Sequence, residues 1–161
     1  KTIEVLNKVG YTISEDAIRE GLSCASWPGR FELLRKNPDF YIDGGHNPDG
    51  TRSLIETFKK IYPGKKANVI MGVFKDKEYE TMVREISSIT KRFIAVTPDN
   101  PRALPAEDLA KVMHRYCNNV EFNVTIKEAV RKLLTTVSND EIIVATGSLS
   151  YIGQIRKMFK E

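Results

Sequence analysis

Asp43 and His46 lie three residues apart in the run Asp43-Gly44-Gly45-His46-Asn47-Pro48, and Ser148 follows a glycine in Thr146-Gly147-Ser148-Leu149. A carboxylate, an imidazole and a hydroxyl set among glycines can hold an anion or an amino acid close to the main chain, where no side chain keeps the ligand away. Both runs read as the start of a helix. Its first backbone N–H groups have no partner inside the helix and favour negative charge. Each residue also has a plainer reading. Asp43 and Asn47 cap turns, a lone loop histidine is solvated, and Ser148 ahead of a helix is an ordinary N-cap. On these residues alone both readings stay open.

The elements that must carry these residues follow from the apolar pattern. Phe40, Tyr41 and Ile42 read as a strand, Asp43-Gly44-Gly45 breaks it, and Asn47-Pro48 opens a helix whose apolar residues Leu54, Ile55, Phe58 and Ile61 recur at helical spacing. From residue 31 onward strands are expected over residues 31–34, 40–42, 67–71, 93–96, 120–124 and 142–145. Amphipathic helices follow all but the first, for example Tyr79, Met82, Val83 and Ile86, then Leu109, Val112, Met113 and Tyr116. Thr125 with Glu128 forms a capping-box pattern. Ile142-Ile143-Val144-Ala145 is apolar without alternation, as a parallel strand buried on both faces should be. The fold class expected is α/β: a doubly wound, mostly parallel sheet with flanking helices, residues 31–34 forming an antiparallel edge strand.

In such a sheet ligands bind beyond the carboxyl ends of the strands. The stretches following four of the five expected parallel strands are unusual: DGGHNPDG, GVFKDKE, TPDNPRAL and TGSLSYIG, whereas the strand at 120–124 passes straight into its helix. Glycine, charge and small hydroxyls therefore gather on one rim, suited to an anionic or amino-acid-like ligand. Taken singly, Lys75-Asp76-Lys77 reads as a solvated loop and Asp99-Asn100-Pro101-Arg102 as a β-turn.

Residues 2–9 and 14–23 read as two short helices, too small for a core of their own, and Trp27-Pro28-Gly29-Arg30 reads as a turning linker. The 161 residues are otherwise enough for one domain, and the lack of an initiator Met reads as a piece of a longer protein. A net charge of +4 with basic residues scattered among acidic ones is no nucleic-acid signature. No apolar run is long enough to span a bilayer, so no membrane partner is expected. Cys24 and Cys117, far apart and without metal-ligand spacing, fit a reduced, cytoplasmic setting. There is no GxxxxGK[ST] or GxGxxG segment, so any nucleotide must be held mainly elsewhere.

The segments WPGRFE (27–32), DGGHNP (43–48), GVFKDK (72–77), PRAL (101–104) and ATGSLS (145–150) together resemble the C-terminal domain of the folylpolyglutamate synthases. These enzymes are often bifunctional with dihydrofolate synthase and belong to the Mur ligase family. The resemblance implies that residues 1–26 are the tail of an N-terminal ATPase domain with its linker, and residues 27–161 the C-terminal domain. It implies an ATP-dependent amide ligase that adds L-glutamate to the γ-carboxylate of folate through an acyl phosphate. ATP and Mg2+ would be held mainly by the N-terminal domain, the partner of this one. By the same resemblance Arg30, Asp43 and His46 are the catalytic positions, with Arg30 reaching the ATP phosphates and Asp43 contacting the nucleotide. His46 and Ser148 would bind the incoming glutamate. Gly45 departs from the pattern, which more often has Ala there, and is expected to loosen the turn. Two alternatives remain: a cell-wall Mur ligase, whose C-terminal domain carries a segment like Asp99 to Arg102, and a free-standing flavodoxin-like module for a phosphorylated metabolite or a partner protein.

Overall fold

The computed structural model describes residues 1–122 and 124–159. Two short helices, α1 (Thr2–Lys8) and α2 (Glu15–Cys24), precede the edge strand β1 (Glu32–Arg35). The chain then alternates β2 (Asp39–Asp43), α3 (Pro48–Ile61), β3 (Ala67–Met71), α4 (Tyr79–Ile86), β4 (Thr90–Ala95), α5 (Ala106–Met113), β5 (Val120–Glu121), α6 (Ile126–Thr136), β6 (Ile142–Thr146) and α7 (Leu149–Lys157). The six strands form one sheet in the order β1-β2-β6-β3-β4-β5. Only β1 is antiparallel, pairing with β2 across a short hairpin; the other pairs are parallel, because a helix returns the chain to the same end of the sheet each time. The doubly wound, mostly parallel α/β class with an antiparallel edge strand is the one expected from the sequence.

Period-two alternation sends side chains of each central strand to both faces. Tyr41, Val69, Phe93 and Val144 pack under α3, α4 and α5, with Phe58, Met82, Ile86 and Leu109. Phe40, Ile70, Ile94 and Ile143 pack under α6 and α7, with Val130, Leu133, Tyr151 and Ile155. Two full faces explain why every residue of β3 and β6 is buried, all of them apolar except Asn68 and Thr146. Local signals set the helix starts. Asn47 accepts from the Gly50 N–H with Pro48 next in line, and Thr125 and Glu128 complete the capping box.

Three expectations need correction. The strand expected over residues 120–124 is limited to Val120–Glu121 (Asn123 lies outside the described residues), because its partner β4 ends at Ala95, whose neighbour Ile94 already pairs with Glu121. Helix α5 stops at Met113, and Tyr116 falls in the following turn, 44% exposed. Ile61, at the end of α3, is 49% exposed and contributes less than the pattern implied. The first two helices bury no residue, and Val5, Val9, Tyr11, Leu22 and Trp27 are all more than half exposed. Among the described residues no helix is long and apolar enough to cross a membrane.

Candidate functional site

The loops after β2, β3, β4 and β6 meet at the carboxyl rim of the sheet, held to one another by backbone rather than side chains. The Gly147 N–H donates to the Gly45 carbonyl at 3.1 Å, the Val96 N–H to the Met71 carbonyl at 3.0 Å and the Gly44 N–H to the Gly29 carbonyl at 2.7 Å. Such close approach needs glycine where two loops touch. Gly147 has φ +109°, and a Cβ there would lie 2.6 Å from the Gly72 carbonyl oxygen. Gly45 is also tightly placed, since a Cβ would meet Asp43 Oδ1 at 2.9 Å and the Gly50 carbonyl carbon at 3.2 Å. A side chain here would press on Asp43 and on the start of α3, so the glycine fits the turn as it stands.

Asp43 closes β2 and is buried, yet each carboxylate oxygen has a donor: Oδ1 accepts from the Gly45 N–H at 2.7 Å and Oδ2 from the Phe31 N–H at 2.9 Å. Burial pushes its carboxyl above the usual range, while the two N–H groups and the nearby Arg30 charge pull the other way. The turn-capping reading of Asp43 is therefore correct as far as it goes. The residue it caps is unusual. Phe31 has φ +41°, a left-handed conformation that is costly for an aromatic residue, and it is kept there by Asp43 and by stacking on Tyr41, ring centres 4.4 Å apart. This bend leads directly into Arg30, whose exposed guanidinium lies 6.0 Å from the centre of the Trp27 ring. Among the described residues no carboxylate pairs with it.

His46 is half-buried, with Nδ1 3.1 Å from the Gly44 carbonyl oxygen, a contact that aims the ring across the rim. Ser148 is 3% exposed and caps α7, its Oγ accepting from the Ser150 N–H at 3.2 Å and lying 2.9 Å from Ser150 Oγ. It does so at the N-terminus of a nine-residue helix, where unpaired N–H groups and the hydroxyl together suit a carboxylate.

These residues line two adjoining cavities that share His46. The first, about 520 Å³, is bounded by Arg30, Phe31, Asp43, His46 and the start of α3. The second, about 200 Å³, is bounded by His46, Ser148, Ser150, Phe74, Lys77 and Arg102. All four residues singled out in the sequence thus come to one rim, Arg30 and Asp43 on one side of His46 and Ser148 on the other. Lys77 and Arg102, whose loops the sequence already places on this rim but which read singly as a solvated loop and a turn, line the second cavity as well.

The Mur ligase, glutamate ligase domain family matches residues 29–149. The chain is similar to the dihydrofolate synthase/folylpolyglutamate synthase of Bacillus subtilis, with 34% identity over 98% of this chain and 36% of that one. It is also similar to the UDP-N-acetylmuramoyl-L-alanyl-D-glutamate--2,6-diaminopimelate ligase of Caldanaerobacter subterraneus, with 33% identity over 81% of this chain and 29% of that one. Its fold superposes with a TM-score of 0.87 on a crystal structure of the bifunctional folylpolyglutamate synthase/dihydrofolate synthase of Yersinia pestis complexed with AMPPNP and a Mn ion, covering 99% of this chain and 38% of that one at 22% identity. The chain spans about a third of the length of these relatives. With the rim loops, the sheet order and the match across residues 29–149 in agreement, the chain belongs to the Mur ligase family, as its glutamate ligase domain.

Proposed function

We propose that this chain is the amino-acid-receiving half of an ATP-dependent carboxylate–amine ligase, a folylpolyglutamate synthase that also fits dihydrofolate synthase activity. The observation that carries the reading is the pair of cavities joined at His46: one offers an exposed cation, the other a helix start with hydroxyls and two further cations. A phosphorylated carboxylate and an incoming amino acid need that kind of adjacency. In this reading the γ-carboxylate of a folate takes the γ-phosphoryl group of ATP in a neighbouring N-terminal domain, and the amine of L-glutamate attacks the acyl phosphate and releases phosphate.

Each residue's chemistry follows from its setting. Arg30 presents an exposed, permanently charged fork close enough to Asp43 to act on its carboxyl, and suited to phosphate oxygens across a domain cleft. Asp43 orders the Phe31 bend that points Arg30 outward, and it lines the same cavity, where it meets the nucleotide. His46 and Ser148 hold the carboxylate of the incoming glutamate so that its amine faces the acyl phosphate; the domain contributes positioning and charge stabilisation. ATP brings the phosphoryl group, and Mg2+ neutralises its charge when bound. As the family resemblance implies, the ion is held mainly by the N-terminal domain. The exposed apolar residues of α1, α2 and Trp27 fit burial against that domain, with residues 1–26 as its tail and linker and residues 27–161 as the ligase's C-terminal domain. Such an enzyme works in the cytoplasm.

The experiment compares the isolated chain with the full-length protein containing it. The chain alone should neither hydrolyse ATP nor ligate, whereas the full-length protein should add L-glutamate to folate. In the full-length protein His46→Ala should lower ligation by about 100-fold or more with an unchanged circular dichroism spectrum. Unchanged ligation by His46→Ala contradicts the site, and tight binding of a flavin or phosphometabolite by the isolated chain contradicts the ligase.

A further inference from the structure

The second cavity carries two cations that the roles above do not use. Arg102 and Lys77 come from different loops, yet both meet one carboxylate: Arg102 Nη2 donates to Asp76 Oδ2 at 2.6 Å, and Lys77 Nζ lies 3.6 Å from the same oxygen. The Arg102 guanidinium also sits 5.0 Å from the centre of the Phe74 ring. Beneath these contacts the two loops are stitched together. The Lys75 N–H donates to the Arg102 carbonyl and the Leu104 N–H to the Val73 carbonyl, both at 2.9 Å, with a β-bridge between Phe74 and Ala103.

An ion pair this exposed adds little to stability, because water screens it and two long side chains lose freedom. What it does supply is position. Carboxylate, ring and backbone bonds all act on one arginine, and Asp76 takes a single donor of its fork, leaving the others toward the cavity that Arg102 lines. A cation fixed before its ligand arrives loses less entropy on binding than one that must be ordered at that moment.

We infer that Asp76 is a positioning residue of this site: backed by Phe74, it holds Arg102 over the cavity shared by His46 and Ser148, so that the guanidinium meets a carboxylate of the incoming amino acid already oriented. The inference rests on the ligase reading for its substrate, while its geometry stands apart from that reading. The sign of the effect separates positioning from plain charge. Lys77 and Arg102 carry two positive charges against the single negative charge of Asp76, so deleting that carboxylate makes the cavity more positive. Simple electrostatics then predicts tighter binding of an amino acid carboxylate; loss of a positioner predicts weaker binding.

The test uses the full-length protein containing this chain. Asp76→Ala should raise KM for L-glutamate about tenfold with kcat within about twofold, and Asp76→Glu should return KM to within about threefold of the parent. With labelled arginine, the Arg102 Nε–Hε resonance, assigned by its loss in Arg102→Lys, should stand apart from free arginine in the parent and in Asp76→Glu, and collapse toward it in Asp76→Ala. An unchanged or lowered KM in Asp76→Ala overturns the inference, as does an unmoved Arg102 resonance. If the parent protein ligates no amino acid, the ligase reading falls, and the resonance alone decides whether Asp76 positions Arg102.

Discussion

The two ends of the parallel sheet are built from the same strands and do opposite things with their polar groups. At the amino end these groups close on one another. Glu141 accepts from Lys91, from the Ser138 N–H at 3.0 Å and from Asn68 Nδ2 at 3.3 Å, while the Tyr62 hydroxyl donates to Asp39 and lies 2.9 Å from the Tyr41 hydroxyl. At the carboxyl end the loops meet through backbone and glycines, and although Asp76 holds Arg102 and Lys77 and Ser148 caps α7, Arg30, His46, Ser148 and Arg102 line cavities open to a ligand. Satisfied polar groups stabilise a fold; groups left available to a ligand do not. A sheet that separates the two can bind and react at one end without weakening its core.

Mutations should divide along the same line. The largest effect is expected where the two requirements coincide: Gly147→Ala forces a side chain into the left-handed region and against the Gly72 carbonyl. It should cost about 3 kcal/mol in urea unfolding and abolish ligation in the full-length protein. Next comes Arg30→Ala, which should lower kcat/KM of the full-length enzyme about 100-fold while moving unfolding by less than about 0.5 kcal/mol, since the guanidinium is exposed.

The opposite end should show the reverse. Burial works to raise the Glu141 carboxyl, but the Lys91 ammonium, the Ser138 N–H and the Asn68 amide outweigh it and hold the group down to about 2, against an ordinary value of 4.5. Because the folded value is depressed, the stabilisation is complete above about 4.5 and is lost as pH falls through about 2. Glu141→Gln should therefore cost about 1 kcal/mol at pH 7, with the difference from the parent fading toward pH 2 and ligation at pH 7 unchanged. The smallest effect is Tyr62→Phe, which removes the donor to Asp39 and should cost about 0.5 kcal/mol with no change in activity. A loss of ligation without a loss of stability in either variant would break the comparison.

What was legible in the sequence was local. The helix caps at Asn47, Thr125 and Ser148 depend on residues two or three positions apart, and each occurs where the sequence placed it. The apolar run Ile142–Ala145 announced a strand buried on both faces, and β6 is one. Strand order was not legible, because β6 enters between β2 and β3 from almost a hundred residues away and no local signal encodes it. The convergence of Lys77 and Arg102 on one cavity was hidden for the same reason. Each looks like an ordinary loop cation until backbone bonds join the two loops and Asp76 meets both side chains. Asp43 was legible as a cap, and the structure adds that the bend it caps is the strained one next to Arg30.

The most direct test of the central claim is a crystal structure of the full-length protein with a non-hydrolysable ATP analogue and L-glutamate. Amino acid density in the cavity between His46 and Ser148, with the nucleotide phosphates on the Arg30 side, is the predicted result. Glutamate bound elsewhere, with that cavity filled by protein or far from the phosphates, would contradict it.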